Sequence, residues 1–414
     1  MRRLVAVAAV GSLLTLAACE TREPALRVGA VYPLSGTQGP GGIEEYRGVE
    51  VAAELANEDG GVHGRGIQLV PVDVPGGDAA PGAIADLADR GVEIVLGSYG
   101  STISAPAAEA AAGRGMVFWE TGAVGEMTGA AAGELVFRFA PTGAVLGRNA
   151  IEFVADRYAP LLGRDPAELR YAVTLVDDAY GRAVARGALD ELRARGYVLA
   201  AELAYDPRRV DMEQLVSELA ATDPDVVFVS AYLEDAVAMR REMVAQGLDL
   251  LAGIGTSSSY CMPQFGAELG EEAVGLFASD KPDQGALDPS GLTPEGRALL
   301  ERAGDAYAER FGEPMSAAAL AGFSAAWALF AEVLPGADRL DAAAVARAAN
   351  ATDLPEGSLP NGSGLRFGPT GSATAGDNVL ASSLIWQWQS ARAPSAVWPP
   401  RFATRPIERI DPLP

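Results

Sequence analysis

Six residues, Gly97-Ser98-Tyr99-Gly100-Ser101-Thr102, lead from an apolar strand-like run into a helix-like one, so hydroxyls and backbone N–H groups converge at a helix start. That combination seats a carboxylate, because the first N–H groups of a helix have no partner inside it and carry the positive end of its dipole. Capping of its own helix by Ser101 or Thr102 is the plainer use of these groups, and the two uses are compatible. Catalysis has fewer materials. The chain holds one histidine, His63, in the turn-like Gly60-Gly61-Val62-His63-Gly64-Arg65, and any Ser-His-Asp or Cys-His nucleophile would have to be built around it. The adjacent acids Asp177 and Asp178 could serve a hydrolase, but neighbours in a strand-end loop seldom aim at one atom, and Asp178 can cap the helix that follows. Gly39-Pro40-Gly41-Gly42 lacks the Gly-Lys-Ser/Thr of a phosphate loop and reads as backbone at a cleft edge. With only Cys19 and Cys261 present, a disulfide framework and an all-cysteine metal site are excluded, and Cys261 reads as a small buried apolar side chain. No catalytic residue, metal or cofactor is expected.

The chain opens with Met1-Arg2-Arg3, an apolar run from Leu4 to Ala18, and the small-residue exit Leu16-Ala17-Ala18-Cys19, the pattern of a secretory signal. The run is shorter than the ~20 residues needed to span a bilayer, and no later segment offers ~18 apolar residues in succession. The exit resembles a bacterial lipobox, which implies lipidation of Cys19 and an extracytoplasmic protein held to the membrane by its lipid anchor alone. Net charge is −23 and 49% of residues are hydrophobic against 21% charged. Such a chain is globular, and its acidic surface repels nucleic acid.

These residues are carried by alternating strands and helices. Arg27 to Tyr32, Ile67 to Asp73, Glu93 to Leu96 and Met116 to Trp119 read as strands, with Val49, Ala52, Ala53 and Ala56 marking the helical stripe after the first. After Phe137 to Pro141 the pattern restarts with a helix near Asn149 to Tyr158. Strands follow at Tyr171 to Val176, Val198 to Ala204 and Val226 to Ala231, with helices Arg182 to Arg195, Met212 to Ala221 and Asp235 to Gln246 between and after them. Helices dominate from Pro294, in Glu295 to Phe311, Ala317 to Leu334 and Ala342 to Ala349. Repeated βα winding implies an α/β fold of two lobes with mainly parallel sheets. Ala393 to Pro414, rich in Pro and Arg, is expected to pack loosely as a tail.

Several of these segments carry a family resemblance. Val28-Gly29-Ala30-Val31-Tyr32-Pro33-Leu34-Ser35-Gly36, Asn57-Glu58-Asp59-Gly60-Gly61-Val62-His63-Gly64-Arg65, Val176-Asp177-Asp178-Ala179-Tyr180-Gly181 and Gly364-Leu365-Arg366-Phe367-Gly368 resemble the leucine/isoleucine/valine-binding (type I periplasmic binding protein) family of extracytoplasmic solute-binding proteins. The resemblance implies two Rossmann-like lobes joined by three hinge crossings. Residues 1–18 are expected as signal peptide, 19–25 as tether, 26–140 with 276–358 as lobe 1, 141–275 with 359–400 as lobe 2, and 401–414 as tail. It also implies capture of a small-molecule solute by a monomer and its delivery to ABC permease subunits.

By the same resemblance, ligand contacts fall at Tyr99, Ser101 and Thr102, at the backbone of Thr121, Gly122 and Ala123, and at Tyr180 and Tyr232. Ala123 stands where many members have a threonine. Ser257, within Gly255-Thr256-Ser257-Ser258-Ser259-Tyr260, falls where amino-acid binders commonly carry a glutamate that accepts the solute ammonium. Glu120 or Asp177 could supply that charge from another loop; otherwise the solute lacks an amine. The expected solute is small and polar, an amino acid, amide or small carboxylate, with a plain aliphatic amino acid favoured less than the family implies. A ligand-sensing receptor feeding a signalling partner is the alternative use of the same cleft.

Overall fold

The computed structural model describes residues 23–127, 132–410 and 413. The leader and its Cys19 lie outside the described residues. The first half of the chain runs β1 (Leu26–Tyr32), α1 (Gly39–Glu58), β2 (Ile67–Asp73), α2 (Ala80–Asp89), β3 (Ile94–Gly97), α3 (Ser101–Ala112), β4 (Val117–Glu120) and β5 (Val136–Arg138). These strands form a parallel sheet in the order β2-β1-β3-β4-β5. The winding then repeats as α4 (Gly143–Phe153), α5 (Ala159–Leu161), β6 (Arg170–Val176), α6 (Ala179–Arg195), β7 (Val198–Tyr205), α7 (Met212–Ala220), β8 (Val226–Ser230), α8 (Leu233–Ala245), β9 (Ala252–Thr256), α9 (Pro263–Leu269) and β10 (Phe277–Asp280). Three helices, α10 (Pro294–Phe311), α11 (Ala317–Trp327) and α12 (Ala342–Ala351), precede β11 (Leu384–Trp388) and β12 (Pro394–Trp398). The second sheet is ordered β12-β11-β10-β9-β8-β6-β7, with β11 and β12 antiparallel and the rest parallel.

Helices begin where short polar side chains meet their first N–H groups. Asp178 accepts from Gly181 N at 2.9 Å, which starts α6 three residues before the apolar stripe shows it. Thr142 does the same for α4, accepting from Val145 N at 3.2 Å, and the Gly/Ala-rich opening of that helix hid its start before Asn149. Glycines then set how closely helices approach. A Cβ on Gly48 of α1 would meet Ala319 O at 2.0 Å, and one on Gly322 of α11 would meet Glu45 O at 2.1 Å. The second lobe uses the same device between α4 and α6, where Cβ atoms on Gly147 and Gly187 would strike Val184 O and Ala144 O at 2.0 Å. Helix α11 continues as a helical run to Gly336 that is long and apolar enough to cross a membrane by composition, but 78% of that stretch is buried as the core of the first lobe.

Three expectations need correction. Strand β10 pairs with β9 and so belongs to the second sheet, although it lies beyond the boundary placed at 275/276. Phe367, beyond the boundary at 358/359, packs edge-on against Trp119 and Phe137 of the first lobe at 5.3 and 5.0 Å between ring centroids, because that aromatic pocket buries it. The C-terminal stretch is not loose: Phe402 is fully buried, Tyr158 OH donates to Ile410 O at 2.9 Å, and Gln387 holds Glu408 through two backbone hydrogen bonds. The chain passes between the sheets after β5, after β10 and between α12 and β11. Strand ends β3 and β4 of one sheet therefore face β6, β8, β9 and β10 of the other across the hinge, the arrangement in which open α/β sheets bind ligands.

Candidate binding site between the lobes

On the first lobe, the loops after β3 and β4 are tied together by one carboxylate. Glu120 accepts from Ser98 N at 3.1 Å, Gly122 N at 2.8 Å, Ala123 N at 2.7 Å and the Ser104 hydroxyl. Burial pushes its carboxyl up to about 7 in spite of these donors. The N–H groups of Gly122 and Ala123, expected to meet the solute, are thus committed to Glu120. Glu120 in turn has its acceptors filled by the protein, so its expected role as charge partner of a solute amine does not fit. Asp177 does not fit either, since its half-exposed side chain pairs with Arg182 at 3.1 Å.

Behind these loops lies a buried polar cluster that sequence reasoning missed. Tyr32 OH and Thr121 Oγ1 are 2.8 Å apart, and Thr121 donates to Glu45 Oε1 at 2.6 Å. Glu45 is fully buried, its Oε2 has no hydrogen-bond partner, and a Cβ on Gly122 would come within 1.8 Å of it. Desolvation pushes this carboxyl up to about 8, against the pull of Lys281. Lys281, just past β10, reaches across the lobes to donate to Gly122 O at 3.0 Å and lies 3.9 Å from Asp280 Oδ1. It is the chain's single lysine among 32 basic residues, which is the signal that could have found it.

The facing wall is aromatic. Tyr180 shares a hydrogen bond with Thr256 Oγ1 at 2.8 Å and donates to Ser257 O, and its ring centroid lies 5.4 Å from that of Tyr232. Tyr232 OH donates to Asp178 Oδ2 at 2.7 Å. Burial drives the Tyr180 hydroxyl well above its ordinary range, so it stays a neutral donor. Ser257 itself is buried. Tyr99 stands on the first-lobe side of the gap, its ring resting on Gly41, where a Cβ would come 2.2 Å from Cζ. Gly39-Pro40-Gly41-Gly42 forms the first turn of α1, with Pro40 in it.

Ser101 and Thr102 do open α3, and both hydroxyls accept hydrogen bonds, Ser101 from Gly125 N at 2.9 Å and Thr102 from Gln38 Nε2 at 3.1 Å. An exposed ion pair between Arg186 of α6 and Glu126 of the β4 loop adds a further contact between the lobes. His63 sits away from all of this, in a turn where its Nε2 is 3.1 Å from Ala337 O. Cys261 is buried, and burial together with the nearby Asp280 carboxylate holds its thiol well above the usual range. Among the described residues no three of His, Cys, Asp or Glu gather as a metal-ligand group.

Two lobes that meet through hydroxyls and main-chain groups at strand ends have the arrangement of a solute-binding protein. The comparisons agree: residues 25–380 match the periplasmic binding protein family model, and the chain belongs to that family. It is 28% identical to the Leu/Ile/Val-binding protein homolog 8 of Brucella suis over 95% of both chains, and 29% identical to homolog 7 of Brucella abortus over 89% of this chain and 90% of the relative. Among solved structures it shares the fold of a leucine-binding protein from Thermotoga maritima (TM-score 0.73, 16% identity, covering 90% and 97% of the two chains). It also shares that of a Streptococcus pneumoniae branched-chain amino acid binding protein in complex with isoleucine (0.70, 17%, 91% and 100%). A solute-binding protein of an ABC transporter from R. palustris, in complex with benzoate, matches equally well (0.71, 19%, 93% and 99%). The fold is thus that of type I periplasmic binding proteins, and it is membership of the periplasmic binding protein family that makes the chain an extracytoplasmic solute-binding protein.

Proposed function

We propose that this chain captures a small polar solute bearing a carboxylate or amide between its lobes and presents it to the permease subunits of an ABC importer, tethered to the membrane through a lipid on Cys19. The observation that carries the reading is the closure contact: Lys281 of the second lobe donates to Gly122 O of the first at 3.0 Å, in a loop that Glu120 ties to the one opening α3. Ser101 and Thr102 would hold the acidic end of the solute, and Tyr180 and Tyr232 would strip water from its body. The lobes open and close as two populations, and a solute shifts them by its different affinity for each. Thermal shift against a panel of amino acids, amides and small carboxylates tests capture. A true solute at 100 times its dissociation constant stabilises the folded chain by ~2.7 kcal/mol. A panel without any melting shift overturns the reading.

A further inference from the structure

We infer that Asp280 is the acceptor for an ammonium on the captured solute, in place of the carboxylate that Ser257 does not supply. This rests on the capture reading and narrows it to amine-bearing solutes, small amino acids first.

Strands β9 and β10 run parallel with Ser279 opposite Thr256, so Asp280 follows Ser279 at the strand end beside Ser257. The carboxylate is moved one strand over and is not lost. Asp280 is 2% exposed, yet its Oδ1 has no hydrogen-bond partner. Buried carboxylate oxygens are ordinarily satisfied, so an open one at a strand end marks a place for a donor. Lys281 does not fill it, since its ammonium is turned to Gly122 O at 3.0 Å and stands 3.9 Å from Oδ1, beyond hydrogen-bond reach. Asp280 acts electrostatically on the Cys261 thiol and on Tyr99 and Tyr180, one tyrosine from each wall of the cleft. An ammonium at Oδ1 would be a charge-assisted pair in a dry site, the strong form of such a bond. With the solute carboxylate at the start of α3, the two ends of a small amino acid are accounted for.

Calorimetric titration with L-leucine, L-glutamine and 4-methylpentanoate, which is leucine without its amine, tests the assignment on wild-type protein, Asp280→Asn and the double variant Asp280→Asn/Ser257→Glu. The expected result is that wild type binds at least one of the amino acids and holds leucine at least about 100-fold tighter than 4-methylpentanoate. Asp280→Asn should lose about 100-fold in amino-acid affinity, and Ser257→Glu should restore much of it. Recovery in the double variant excludes a folding defect as the cause of the loss. Unchanged amino-acid affinity in Asp280→Asn overturns the assignment and leaves capture standing, as does 4-methylpentanoate binding as tightly as leucine. If none of the three binds, the amine assignment is overturned, whereas capture falls only when the wider thermal-shift panel is also silent.

Discussion

The two walls of the cleft are built from different chemistry. The first lobe offers carboxylates, Glu45 and Glu120, both fully buried and both holding their protons above the usual range. The second offers phenols, with Tyr180 and Tyr232 tied to Thr256 and Asp178. A single carboxylate that gathers four donors from two loops makes the first wall rigid and sensitive to pH. Neutral hydroxyls on separate acceptors make the second wall a set of independent contacts. The difference teaches where perturbation should propagate and where it should stay local.

Removal of the Glu120 side chain should be the most damaging change. Glu120→Ala leaves Ser98 N and Gly122 N without their acceptor and takes the shorter of two acceptors from Ala123 N and the Ser104 hydroxyl, and the expected loss is about 3 kcal/mol. At about 2.1 cal/mol/K of unfolding entropy per residue over this chain, that corresponds to a melting temperature lowered by roughly 4 °C. A variant that melts within a degree or two of wild type would mean the loops hold without the carboxylate.

The pH dependence comes next. Glu45 titrates at about 8 in the folded chain against 4.5 ordinarily, so the folded state carries the extra proton between those values. Stability should therefore fall as pH rises from about 4.5 and level off above about 8, with a slope of at most ~1.4 kcal/mol per pH unit from this group. Glu120 adds in the same direction up to about 7. Urea denaturation from pH 5 to 9 should give a shallower slope for Glu45→Gln, which keeps the acceptor for Thr121 and gains on wild type at the alkaline end. Identical slopes for the two proteins would break the contrast between the walls.

On the aromatic side the effect should be small. Tyr232→Phe removes one hydrogen bond, to Asp178, and should cost about 1–2 kcal/mol with no change in pH slope. A loss as large as that of Glu120→Ala would show that the phenols act as one network.

Much of the fold was readable from periodicity, because parallel strands buried on both faces give continuous apolar runs and their helices give clean stripes. The loop at Gly97 to Thr102 was readable too, since hydroxyls before an apolar helix have a local physical meaning. Glu45 was not. It follows Glu44 on α1, and nothing in the sequence separates a solvated acid from one carried inward by the close approach of Gly48 and Gly322 to the neighbouring helix. Strand β10 is only four residues long, and its end, Asp280-Lys281, merges into a Pro/Gly/Asp-rich stretch that reads as surface loop. Pairings such as Lys281 with Gly122 O join residues 159 positions apart, and only the folded hinge brings them together.

The solitary lysine has a practical side. Isotope enrichment of that amino acid type alone would yield a spectrum with one side-chain ammonium resonance, seated where the chain crosses between the lobes and bonded to the opposite one. Opening and shutting of the molecule could be followed from that solitary peak, without introducing a foreign label.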